Sequence, residues 1–201
     1  MKSKFLFCLI AVCFFAKGFC QTDTANLNAR GIIKVYPLQL GSGEVRASYE
    51  KPLKHNMSLE LGCGYIYRLS SFEFGAISFD ETEVPANGFT LREGVKFYFS
   101  ENQDHYGLYF LPLIMTKYFI ENNPYYTETI NEYGLQSLIG YMFHSKNKFS
   151  FEVYGGLGIK KVIDKSDSHI SPSNHLIDKS SVTVLIPQFG FSIGYKPFKN
   201  K

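Results

Sequence analysis

Beyond its first twenty residues the chain has one cysteine, Cys63, because Cys8, Cys13 and Cys20 all lie in the N-terminal segment. An intrachain disulfide in the remainder is therefore excluded. Nor does any later stretch approach the ~20 unbroken apolar residues that a membrane-spanning helix needs. Any crossing of a bilayer by this chain has to be made by strands closed into a barrel. A block of basic charge is also missing. Without residues 1–20, which carry Lys2, Lys4 and Lys17 and no acid, 21 basic and 18 acidic residues become 18 and 18. A neutral chain lacks the electrostatic footprint that displaces counterions from phosphates, so nucleic acid is not an expected partner.

What the N-terminus does have is the three-part pattern of a secretory signal: Lys2 and Lys4, an apolar run from Phe5 to Ala16, and small residues near a cut site. Cleavage after Cys20 is expected, with Gly18 and Cys20 as the small side chains before the cut. The competing reading, acylation of Cys20 as a lipoprotein, meets a poor lipobox in Lys17, Gly18 and Phe19. Residues 21–30 read as a polar lead-in and 31–201 as the exported body.

That body shows almost no helical periodicity. Eight segments of alternating polarity run approximately over 31–40, 44–53, 57–69, 88–100, 107–121, 130–144, 148–164 and 182–198. Most reach the ~9–11 residues that a tilted barrel strand requires. The connections at 54–56, 101–106 and 145–147 are short, while 70–87, 122–129 and 165–181 are longer. Gly41 to Gly43 departs from this alternation. Short turns on one side and long loops on the other suit an outer-membrane barrel with both termini in the periplasm. The expected fold is all-β, an up-and-down antiparallel transmembrane barrel of about eight strands.

Alternation alone also suits a soluble secreted barrel. Glycine placement separates the two. Met57, Leu59, Leu61, Cys63, Tyr65 and Tyr67 form one face of their segment, and Ser58, Glu60, Gly62, Gly64, Ile66 and Arg68 the other. Gly134, Gly140, Gly156, Gly158, Gly190 and Gly194 likewise share faces with polar residues, with Ser137, Leu138 and Gly155 as exceptions. A small barrel has an interior just wide enough for side chains to fill. Glycine and serine there make room for long charged residues, whereas outward glycines would weaken strands without a packing gain. The glycine-bearing face is expected inside, and the Phe/Tyr/Leu face in lipid. Tyr49, Phe97, Phe99, Tyr141, Phe143, Tyr195 and Phe198 recur at the periplasmic ends as a girdle, with Tyr65, Tyr67, Tyr118 and Phe119 toward the outer interface. Glu93 falls on the lipid face, and Pro112 and Pro187 interrupt strands that should have no edge. Bulges are expected at these places.

The segment Gln188, Phe189, Gly190, Phe191, Ser192, Ile193, Gly194, Tyr195 resembles the C-terminal insertion signal of bacterial outer-membrane proteins. Gln188, Gly190, Ile193 and Tyr195 carry the match. Lys196 to Lys201 follow where that signal usually ends the chain. Over residues 31–198 the chain resembles the small OmpA- or OmpX-type barrels and the "outer membrane protein beta-barrel domain" proteins of Gram-negative bacteria. That resemblance implies the outer membrane as location, lipid and lipopolysaccharide as surroundings, the barrel-assembly machinery as partner during insertion, and a monomer. It specifies no task.

The expected luminal charge network is Arg46, Glu50, Glu60, Arg68, Arg92, Lys96, Glu132 and Glu152, a balanced set able to pair across the interior. Its structural reading is an ion-pair core; its functional reading is a narrow gated pore or small-ligand barrel. No catalytic residue, cofactor or metal is expected. A lipid-modifying enzyme needs a nucleophile and base at the outer rim, and His55, His105 and His144 sit at the other end. His169 and His175, with Asp167 and Asp178, and the group Asp80, Glu81 and Glu83 show no recognised ligand spacing. Ser70 and Ser71, and Tyr125 with Tyr126, are further loop candidates without a defining motif. The main expectation is a structural or surface-interaction protein.

Overall fold

The computed structural model describes residues 31–53, 56–69, 84–99, 106–122, 126–144, 148–168 and 178–197. The expected signal segment, the lead-in at 21–30, the loop groups around Asp80 and His169, Ser70, Ser71, Tyr125, His55, His105 and Phe198 lie outside these residues. Eight strands close into a barrel in chain order: β1 (Ile32–Val35), β2 (Glu44–Pro52), β3 (Met57–Leu69), β4 (Val84–Tyr98), β5 (Gly107–Asn122), β6 (Tyr126–His144), β7 (Phe149–Ser168) and β8 (Asp178–Tyr195). A short helix, α1 (Pro37–Gly41), stands between β1 and β2.

Every neighbouring pair is antiparallel, including the closing pair β1–β8. Starting at Val35, the register passes through Ala47, Cys63, Leu91, Thr116, Tyr133 and Lys161 to Thr183, whereas Val35 itself closes on Ile193, ten residues further along β8 (193 − 183 = 10). A stagger of that size in an eight-stranded barrel tilts the strands about 40° from the axis, within the range of closed barrels. The tilt leaves one end even, where Ile32, Pro52, Met57, Tyr98, Gly107, His144, Phe149 and Tyr195 end or begin their strands. The other end is a ramp: the tops of β7 and β8 stand about 25 Å higher along the axis than the start of β2.

The faces follow the sequence pattern. Along β6, Glu132, Gly134, Gln136, Leu138, Gly140 and Met142 are buried while Tyr133, Leu135, Ser137, Ile139, Tyr141 and Phe143 are exposed, so Ser137 and Leu138 obey the alternation after all. Gly158 and Gly194 are buried, and Gly62, Gly64 and Gly156 share the inward face with Ser58, Glu60 and Glu152. Phe119 departs from its expected outer-interface role: it is buried and packs inside with Ile66, Ala86 and Ile130. Tyr118 keeps the outward position and stacks at 5.7 Å on Phe89.

The first segment is corrected most. The strand expected over 31–40 stops at Val35, and Pro37 opens α1. Proline has no N–H to give a ladder but is well suited to the first helical turn. Tyr36 N–H still donates to Arg46 O at 3.2 Å, after which the chain leaves the sheet. Gly43 at φ +80° turns it into β2, and Tyr67 donates its N–H to Gly43 O and its hydroxyl to Leu40 O, fastening this corner to β3. At the high end β4, β6, β7 and β8 run further than expected, converting parts of the long loops into sheet.

The expected bulges at Pro112 and Pro187 are absent. The β4–β5 register has the same offset at Gly94↔Leu113 and at Phe97↔Phe110, with no pairs between them. Leu108 O accepts from Phe99 N–H on β4, so the even positions of β5 point to β4 and the missing N–H of Pro112 falls in that gap. Pro187 lies where β8 has lost β1 as a neighbour. Lys196 N–H donates to Lys148 O on the β7 side, so even positions of β8 face β7 and the missing N–H of Pro187 faces the unpaired side. Neither proline needs an extra residue. The bulge that does occur among the described residues is in β4, where Ala86 and Asn87 together oppose Tyr67, between the pairs Ile66↔Gly88 and Arg68↔Pro85.

Candidate functional site: the luminal charge cluster

The interior is layered. Nearest the even end, Lys34 from β1, Glu50 from β2, Glu60 from β3, Lys96 from β4 and Glu152 from β7 converge. The side chains of Lys34, Lys96 and Glu50 are 0% exposed. Lys34 Nζ contacts Glu50, stands 3.0 Å from Glu60 and 2.6 Å from Glu152. Lys96 Nζ stands 3.1 Å from Glu50, 3.0 Å from Glu60 and 2.8 Å from Glu152. Each ammonium thus serves three carboxylates, the most its three protons can bind.

Three carboxylates against two ammoniums leave one excess negative charge. Hydroxyl donors surround it. Tyr98 and Ser58 donate to Glu50 at 2.6 and 2.5 Å, Tyr36 donates to Glu60 at 2.5 Å, and Tyr109 donates to Glu152. Lys96 Nζ also lies 4.2 Å from the centre of the Tyr109 ring, a cation–π contact. Carboxylate oxygens of Glu50, Glu60 and Glu152 fall within 4.8 Å of one another, a spacing suited to a cation. Here the Lys34 and Lys96 ammoniums stand among them and supply that charge.

Above this cluster is an apolar layer containing Leu111, Leu113, Met115 and Leu138. A second polar layer follows. Arg46 clasps Glu44 with two bonds of 2.7 and 2.6 Å, Lys117 Nζ stands 3.8 Å from Glu44, and Lys160 pairs with Glu132 at 3.0 Å. Arg92 donates to Gln136 at 3.1 Å. Ile66, Ala86, Phe119 and Ile130 cap the interior at the high end.

Of the eight expected luminal residues, Glu50, Glu60, Lys96 and Glu152 meet in the lower cluster and Arg46 and Glu132 in the upper layer. Arg92 reaches inward to a glutamine. Arg68 stands at the high end of β3, past the β4 bulge, with its guanidinium 5.7 Å from the centre of the Tyr67 ring. Lys34, Glu44, Lys117 and Lys160 were missed, as were the inward tyrosines 36, 98 and 109. Lys34 alternates with Ile32 and Tyr36, so its face carries two apolar residues and gives no polar signal. Tyr98 and Tyr109 break the rule that aromatics face out, because their hydroxyls satisfy buried carboxylates.

Glu93 stands on the outward face between Leu61 and Ile114 in the register, beside the β4–β5 ladder gap. A cavity of about 10 Å³, lined by Glu60, Arg92, Glu93, Gly94, Leu111 and Leu113, sits at the same gap. That is about the least room that admits one water. His144 lies at the even end, 6.1 Å from the ring of Tyr106. Among the described residues no nucleophile, base and acid are assembled at the high rim. Of the insertion-signal residues, Tyr195 and Ile193 are the closing pairs to Ile33 and Val35, while Gln188 and Gly190 lie inward and higher on β8.

No family model, no curated protein and no solved structure matches this chain.

Proposed function

We propose that the chain is an outer-membrane barrel protein whose body is an anchor and whose high end is a surface for interactions outside the cell. One observation carries this reading: the polarity is inverted. Leu135, Leu157, Ile159 and Leu185 are 65, 57, 56 and 63% exposed, while Lys34, Lys96 and Glu50 are fully buried. Burial of charge with apolar surface left in the solvent is costly in water and favourable in hydrocarbon. The outward aromatics Tyr49, Phe97, Phe99, Tyr141 and Phe143 lie toward the even end, as a periplasmic girdle does, and both chain ends of the barrel fall on that side.

The interior supports anchoring over transport. Two polar layers and two apolar layers fill it, and the cluster of five charged residues spans it from β1 to β4 and β7. The lumen then acts as a core that fixes the barrel's shape. Lipopolysaccharide and lipid surround the belt, and the barrel-assembly machinery reads the β8 strand during insertion.

The test is fractionation of the mature chain expressed with its N-terminal segment. Retention in the membrane pellet after carbonate washing, with faster migration in unheated than in heated detergent gels, is expected. A soluble periplasmic monomer contradicts the reading.

A further inference from the structure

Between the aromatic girdles the outward face of β3 to β6 carries, among the described residues, a single charged side chain, Glu93. The exposed rings of Phe89 and Phe97 each stand four residues from it on β4. Glu93 is therefore at the middle of the proposed belt, about 10 Å from either girdle along the axis. Hydrocarbon offers it no hydrogen-bond partner, and lipid headgroups lie beyond the girdles. Among the described residues none forms a hydrogen bond or ion pair with it. A water in the cavity of about 10 Å³ at the β4–β5 gap can serve one carboxyl oxygen from behind. A second oxygen still lacks a donor.

Ser137 is a hydroxyl on the exposed face of β6, and it too stands four residues from each of two exposed rings, Tyr133 and Tyr141. The register fixes its depth relative to Glu93. Glu93 pairs with Ile114, and Ile114 with Leu135. Crossing two tilted strands climbs about 6 Å, and the two residues from Leu135 back to Ser137 descend about 5 Å, so the two polar groups differ in depth by about 1 Å. Pro112 on β5 pairs with Ser137 and stands between the two groups. Its short ring lets another wall approach closely.

We infer that two copies of this chain associate in the membrane through the β4–β6 wall, with Glu93 of each bonded to Ser137 of the other. A two-fold axis normal to the bilayer at Pro112 lays β4 of one copy against β6 of its partner and preserves depth, so groups meet only where their depths agree. Glu93 and Ser137 satisfy that condition. By the same spacing Leu91 meets Leu135, and Val95 meets Ile139. As a carboxylate Glu93 accepts the Ser137 O–H; as an acid it donates to Ser137 Oγ. The symmetry forms the bond twice. The family resemblance implies a monomer, and a polar group at the centre of the belt is what sets this barrel apart from that expectation.

The inference rests on the anchor reading, which places this wall in lipid. The experiment uses the mature protein in lipid vesicles, after heat-modifiable migration has shown that the barrel is folded. Cys63→Ser removes the native thiol, and Lys51→Cys, exposed on β2 away from the contact, carries donor or acceptor dyes. Energy transfer between differently labelled chains is expected to persist as the protein is diluted in lipid. Glu93→Leu and Ser137→Leu place an apolar side chain toward lipid, so migration is retained, and each is expected to raise the dissociation constant about tenfold or more. Glu93→Gln keeps a donor and an acceptor and should stay within about threefold of the parent. Ala47→Leu, at similar depth on β2, should change nothing. Transfer that falls to random mixing in the parent overturns the inference, because Glu93 is then served by water alone. So does undiminished transfer in Glu93→Leu, a loss in Glu93→Leu that Ser137→Leu does not share, or an equal loss in Ala47→Leu. A chain that fails the migration test contradicts the anchor reading instead.

Discussion

Lys96 on β4 and Glu152 on β7 form a fork across the lumen, with Nζ 2.8 Å from each carboxylate oxygen. The same ammonium also holds Glu50 and Glu60, so three strands besides its own are tied at one atom.

Removing that atom leaves three buried carboxylates with one ammonium. Lys96→Met is expected to destabilise the barrel by about 3–5 kcal/mol, the usual cost of stranding buried charge. Urea unfolding in detergent micelles measures it. A loss below about 1 kcal/mol would mean that the cluster is hydrated and does not act as a core.

Gly155 and Gly156 are chain neighbours on opposite faces and should respond differently. A Cβ on Gly156 would collide with Ser137 O and stand 2.9 Å from Leu138 Cα, both backbone atoms that cannot swing away. On Gly155 the nearest atom is Gln188 O at 3.7 Å, ordinary contact. Gly156→Ala is expected to cost about 1–3 kcal/mol through overpacking, and Gly155→Ala to stay within about 0.5 kcal/mol of the parent. The same unfolding series compares them.

Glu128 stands at the high end of β6, above the stretch proposed to face lipid. Partial burial, followed by the nearby Asp164 and Glu121 carboxylates, pushes its pKa up from the usual glutamate value. A carboxyl whose folded-state pKa is raised contributes stability below the unfolded value and loses it as pH rises through the folded one. Protection of the Thr127–Ile130 amides, corrected for intrinsic rates, is therefore expected to be higher at pH 4 than at pH 7. Glu128→Gln should reduce this difference. Equal protection at the two pH values in the parent chain contradicts the assignment.

Much of the barrel was legible because β structure writes its faces at a period of two residues. Glycine beside Glu60, Glu132 and Glu152 marked the inward side, and the register follows from it. The failures occurred where one residue answers to two neighbours. Pro37 reads as a strand residue until the ladder on its far side is known, and Pro187 reads as a bulge until that ladder proves to be absent. Lys34 was hidden between Ile32 and Tyr36 because the lumen is not uniformly polar. Phe119 was misplaced for the same reason: the high end of the lumen is capped by apolar side chains, which alternation alone assigns to lipid. The meeting of Lys34, Glu50, Glu60, Lys96 and Glu152 from five strands depends on the ten-residue stagger, which no single segment reveals.

The central claim is a lipid-facing apolar belt around a filled charged lumen, and spin labels placed singly from Tyr133 to Tyr141 on β6 test it most directly. In reconstituted bilayers, labels at 133, 135, 137, 139 and 141 are expected to be relaxed more by oxygen, which concentrates in hydrocarbon, than by a water-soluble nickel complex. Labels at 136 and 138, in place of the inward Gln136 and Leu138, should be protected from both. Strong relaxation by the nickel complex at 135 and 139, equal to that of a label in water, would contradict the account.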